Sequence, residues 1–192
     1  MAVGRGAPTA NYPTLTRYTG SGELVNGSFE EGRFLRAFPG AISVSQPFAV
    51  HVNEFVFVGH SLSNVIQKLD LDGRLLQEFV IGRTHLSEPE LENLAGEGAY
   101  RLRQWVRRHT APVDIHVVDE LYLVVVYRDW SVDAMEWHWL YDVYTATGVP
   151  LAEQIFSELR LIDVSKESLI FVDETVVPYR VSVRRLAPSM FE

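Results

Sequence analysis

The sequence predicts an all-β fold of about three four-stranded antiparallel repeats with one short helical insertion. Three observations predict it. Gly-containing turns recur in one sequence context. A two-strand unit recurs upstream of two of these turns. The strands inside the units are unbroken apolar runs rather than alternating ones.

The turns are Ser21-Gly22, Asp72-Gly73 and Thr147-Gly148. Apolar or aromatic residues stand seven and four positions before each Gly: Leu15 and Tyr18, Ile66 and Leu69, Tyr141 and Tyr144. Apolar residues follow: Leu24-Val25, Leu75-Leu76, and Leu151 after Pro150. A small or polar residue plus Gly between two β-rich runs is a hairpin turn, because Gly reaches positive φ without steric cost.

The recurring two-strand unit reads Pro47 to Val52, Asn53-Glu54, then Phe55 to Val58. Its second copy reads Pro112 to Val117, Asp119-Glu120, then Leu121 to Val126. A weaker third copy runs Leu161 to Val164, a turn at Ser165-Lys166-Glu167, Leu169 to Val172, and a last strand from Tyr179 to Leu186. Joined to the hairpins, these give segments 41–82, 111–157 and 158–187, the last without its outer strand, and a partial unit at 12–32. The unbroken apolar runs fit sheets buried on both faces. Four-strand repeats of about 40–45 residues are the pattern of β-propeller blades. A β-sandwich or barrel is the alternative that short strands alone allow.

Segment 83–110 breaks the pattern. Ser87 and Glu90 form a capping box, with Leu86 placed to pack on Leu91. Gly96 and Gly98 interrupt it, and a second helical stretch follows over 99–109. Arg101, Arg103, Arg107, Arg108 and His109 make the basic cluster of the chain, read as a solvated helix face.

Composition bounds the function. The chain has 192 residues, 47% hydrophobic and 22% charged, as expected of one globular domain with a sizeable core. The formal charge of −8 argues against nucleic acid as the main partner, since phosphate binding needs a basic face. The lack of cysteine removes disulfides, thiolate metal sites and cysteine nucleophiles. No apolar run approaches the roughly 20 residues of a membrane-spanning helix. Residues 1–11 are small and polar, without the apolar stretch of a secretory signal.

Ile66 to Leu76, with the blade order around it, resembles the C-terminal half of a six-bladed β-propeller of the NHL/TolB-like kind. The resemblance runs from Thr14 onward. It implies a bacterial, exported protein (periplasmic or extracellular) and says almost nothing about activity, because one fold hosts many functions. A six-bladed ring needs about twice this many blades. Either two copies close a ring by two-fold symmetry, with residues 23–29 completing the partner's last blade, or the chain is part of a longer one.

Two constellations can carry chemistry. His51 and His116 share one position in equivalent inner strands, and Asp163 matches them in the third copy. Inner strands border the central channel of a propeller, and these are metal-ligand types. The alternative is that each is a packed strand residue; no local metal-ligand spacing supports a site, and no cofactor is implied. Asp129, Trp130, Trp137, His138 and Trp139, with Asp133 and Glu136, form an acidic aromatic segment between two strands. Aromatic platforms beside carboxylates bind sugars or cations. The alternative is aromatics packed between blades with acids facing water. Asp70 and Asp72 lack the longer acidic loop and distal Glu of a calcium loop and read as turn residues. Nucleophile elbow, Walker loop, dinucleotide and zinc-protease motifs are absent. The expected function is a non-catalytic module binding a protein or small-molecule ligand; the alternative is a propeller-type hydrolase or lyase with a channel metal at His51, His116 and Asp163.

Overall fold

A computed structural model describes residues 47–82, 104, 108–131, 136–165 and 168–185, together with strand segments 2–3, 15–18 and 24–27. Every strand in them belongs to one of four antiparallel sheets, and no sheet closes on itself. The first sheet is β1 (Ala2–Val3), β2 (Leu15–Tyr18) and β3 (Leu24–Gly27) in sequential order. The second is β4 (Pro47–Val52), β5 (Phe55–His60), β6 (Val65–Asp70) and β7 (Leu75–Val80). The third is β8 (Ala111–Val118), β9 (Tyr122–Ser131), β10 (Glu136–Thr145) and β11 (Pro150–Ser157). The fourth is β12 (Arg160–Ser165), β13 (Ser168–Asp173) and β14 (Arg180–Arg185).

Two four-strand repeats and a three-strand third copy therefore form as the sequence predicts. The partial first unit gains a strand: β1 pairs with β2 through Ala2↔Thr16 and Val3↔Leu15. A two-residue strand leaves no period to read, so sequence pattern alone misses it. The expected Ser21-Gly22 turn and the helical insertion, apart from Gln104 and the end at 108–110, lie outside the described residues.

The two Gly hairpins are built alike. Gly73 (φ 81°) and Gly148 (φ 82°) occupy the left-handed region. Gly73 N–H donates to the Asp70 carbonyl at 3.0 Å, and Gly148 N–H to the Thr145 carbonyl at 2.9 Å. A side-chain oxygen then gathers two further amides at each turn. Asp70 Oδ1 accepts from Asp72 and Arg74; Thr145 Oγ1 accepts from Thr147 and Val149. Asp and Thr can replace each other here because each offers an acceptor at the same short reach.

The sheets stack face to face, with neighbouring first strands side by side: β4 beside β8, and β8 beside β12. Alternation along β9 shows why its run is unbroken. Leu123, Val125 and Tyr127 point at the second sheet and pack with Phe48, Phe57, Ile66 and Phe79. Val124 and Val126 point the other way and pack with Leu161 and Phe171 of the fourth sheet. Burial of each such side chain contributes about 1.5–3 kcal/mol. A core on both sides of the third sheet fits neither a closed barrel nor a two-layer sandwich.

The repeat is also visible in the packing. Ile66 and Tyr141, each seven residues before its Gly, face the following sheet; Tyr144, four residues before Gly148, faces the preceding one. Tyr141 and Tyr144 bond the third sheet to its surroundings on opposite faces. Tyr141 O–H donates to the Leu159 carbonyl and accepts from Leu161 N–H at 2.9 Å. Tyr144 accepts from Gly82 N–H at 2.9 Å and donates to Asp142 Oδ2 at 3.0 Å. Burial raises both phenols, Tyr141 to about 12. Asp142 is fully buried, and its other oxygen accepts from Gln154 N–H at 2.8 Å. That amide is turned inward by a bulge in β11, where Gln154 takes φ 57°.

Two expected outcomes follow from this packing. A Cβ on Gly148 meets Phe79 Cγ at 2.4 Å, in a backbone conformation that already disfavours a side chain. Gly148→Ala should therefore lower unfolding stability by about 1–3 kcal/mol in urea titration; a change within the measurement error would contradict the close packing of this hairpin on the second sheet. His60 is buried, and desolvation lowers its pKa to about 4 from 6.5. The unfolded chain binds the proton first, so stability is full above pH 6.5 and falls as pH drops toward 4, by about 3 kcal/mol for this group. Unfolding titrations at pH 7 and pH 4.5 should show a smaller pH loss for His60→Gln than for the parent chain.

Candidate functional site

The acidic aromatic segment is not a loop. Asp129 and Trp130 lie in β9, and Trp137, His138 and Trp139 in β10, in an unbroken ladder from Glu136↔Ser131 to Thr145↔Tyr122. Trp and Tyr favour strands, and residues 129–131 and 136–139 keep the two-residue period of β9 and β10. Strand extension here was missed because its acidic residues read as loop composition.

The register sorts this segment by face. Trp130 stands opposite Trp137, and Arg128 opposite Trp139, all on the face toward the fourth sheet. The rings of Trp130 and Trp137 meet edge to face with centroids 4.8 Å apart. Arg128 lies over the Trp137 ring at 4.3 Å, and Arg160 over the Trp139 ring at 5.1 Å. Asp129 and His138 point to the other face. Asp129 accepts a hydrogen bond from Thr110 Oγ1, and His138 packs on Phe156 with its Nε2 3.6 Å from Glu136.

β10 outruns its outer neighbour. Pairing with β11 ends at Trp139↔Ser157, so residues 136–138 are bonded on the β9 side alone among the described residues. At that free edge, between the third and fourth sheets, lies a cleft of about 380 Å³. One wall is Trp130, Trp137 and Trp139, with Glu136 and His138 at the strand edge. The other is Glu158 and Leu159 after β11, and Asp173 at the end of β13 with Glu174 and Thr175 after it. The volume is in the usual range for small-molecule sites.

The carboxylates differ in their environments. Asp173 Oδ1 accepts from the hydroxyl and the N–H of Thr175, which holds this carboxyl below its usual range. Glu174 Oε1 is 3.2 Å from Arg160 Nη1. Glu158 is exposed at the mouth. Sequence reasoning found Trp130, Trp137, His138, Trp139 and Glu136 but missed Glu158, Asp173 and Glu174. These come from two strand ends that only the stacking of sheets brings near, and no local spacing marks them.

The histidine constellation is brought together in part. His116 is half-buried, 3.7 Å from Asp114, with Asp163 close enough to influence its charge. Burial holds its pKa below the ordinary value, against the opposing pull of Asp114 and then Asp163. His51 is exposed on β4. A bulge at Val113 separates the two histidines in direction. In β4, which has no bulge, Val50 and Val52 face the third sheet. In β8, Ile115 and Val117 face back at the second. The intervening histidines therefore point away from each other's sheets, since one extra residue exchanges the two faces of a strand. Among the described residues, no three His, Asp or Glu side chains come together to hold a metal ion.

Among the described residues, no helix is long and apolar enough to cross a membrane. The sequence matches no protein-family model and no curated protein.

Proposed function

We propose that this chain is a non-catalytic, ligand-binding module of the β-propeller kind, and that its ligand occupies the cleft at the free edge of β10. The observation that carries this reading is one concave site in which three indoles and three carboxylates from four separate strand ends line a common space, with Glu136 at its edge beside His138. Aromatic side chains supply apolar contact area, and a few polar groups at the margin fix orientation. The reading is preferred over a metal-dependent hydrolase or lyase because the bulge in β8 turns His51 and His116 to different sides of their sheets.

The site can be tested without knowing the ligand. A panel of small polar fragments, followed through the indole N–H resonances, should shift those of Trp130 and Trp137 saturably, and Trp130→Ala should remove the effect. Shifts that cluster elsewhere, or that survive Trp130→Ala, count against the cleft as the binding site.

The same reading takes the second, third and fourth sheets as three blades of a six-bladed ring closed by a second copy. Its support is the outer face of the fourth sheet. There Val181 is 58% and Val183 65% exposed, whereas the corresponding faces of the second and third sheets are covered by the next sheet. Apolar surface left open at the end of a stack is a docking face. Sedimentation equilibrium should give twice the chain mass, falling to the single-chain mass on Val183→Asp. A compact monomer of the parent chain removes the ring.

A further inference from the structure

We infer that the occupant of the cleft at the free edge of β10 is a small organic cation bearing ammonium or guanidinium groups. The inference rests on the reading of the cleft as a ligand site. Three different features carry it.

The first is the balance of charge and hydrogen-bonding groups. Glu136, Glu158, Asp173 and Glu174 line the cleft, and Arg160 and Arg128 are the guanidiniums at its indole wall. Arg160 is engaged with Glu174, which leaves the carboxylates of Glu158 and Asp173 to carry the negative charge of the cleft. Ionised carboxylates accept hydrogen bonds and donate none. An ammonium or guanidinium group donates and accepts none, so it is the complementary occupant, and an anion is repelled.

The second is spacing. The carboxylates are distributed around about 380 Å³, and no three of them converge at metal-ligand distances among the described residues. A bare ion cannot reach carboxylates placed this way. An organic cation several bonds long, or one with charges at both ends, can.

The third is the state of the rings. Trp137 and Trp139 already carry guanidinium groups over their faces. Those two faces are therefore closed to the flat stacking a sugar ring needs. Trp130, edge-on to Trp137, remains the half-buried ring at the open end.

The test uses matched probes on the full chain. Putrescine and agmatine should shift the Trp130 and Trp137 indole resonances saturably; butane-1,4-diol, of the same length without charge, and cellobiose should not. Glu158→Gln, at an exposed position, should weaken putrescine binding about two- to fivefold with no change in thermal midpoint. Raising salt to about 300 mM should weaken it further. Equal binding of the diol, or binding of cellobiose alone, overturns the cation and leaves the cleft as a ligand site. So does a failure of both cations while the fragment panel still marks Trp130. Silence from cations and fragments together overturns both readings.

Discussion

Everything in this molecule depends on the third sheet being buried on both faces. β8 to β11 separate two cores that share no side chains, and β9 feeds both by simple alternation. A strand in that position cannot keep a polar face, so Leu123 to Tyr127 contains no charged residue. The polar groups that do enter are satisfied in place. Tyr141 and Tyr144 use their hydroxyls to close backbone groups of the following and preceding segments. Asp142 answers an amide that the bulge in β11 turns inward. The two tyrosines reach out of their own sheet, which is how rigid, stacked sheets are held at fixed spacing without covalent links, while Asp142 satisfies a group within it.

Bulges are the second organising device. A bulge interrupts pairing at Val113 in β8, at Ile162 in β12, and opposite Asp142 in β11. Each one exchanges the faces of the residues beyond it. This explains why repeats with similar sequence do not give repeated sites. His51 and His116 hold the same position in their strands, yet only His116 comes to lie near Asp163. Sequence equivalence fixes distance along the chain; the count of residues against the partner strand fixes direction.

The strand plan was legible because burial on two faces leaves an unbroken apolar run and a Gly hairpin leaves a local signature. Even the phase within a strand could be read, since Ile66 and Tyr141 face the next sheet from the same offset before their glycines. The site was legible in half. The wall from β9 and β10 is contiguous in sequence, so its tryptophans could be named. Glu158, Asp173 and Glu174 stand at the ends of strands in other positions of the stack, and their approach is a product of packing. The facing of Asp129 was not legible either: only the register shows that it turns away from Trp130 toward Thr110.

The cleft itself follows from a mismatch of strand lengths. β9 and β10 run ten residues each, while β11 ends opposite Trp139 and the fourth sheet has strands of six. Where β10 outruns β11, its outer edge has no neighbour among the described residues, and the strands of the fourth sheet are shorter. An unpaired edge invites another strand, and charge is one device that discourages it. Here Glu136 flanks the edge, and Glu158 and Glu174 stand across from it, so a negatively charged chain is poorly placed to add a copy of itself at this point. The same carboxylates that guard the edge define what can enter it, which ties the recognition proposed for this site to a requirement of the fold.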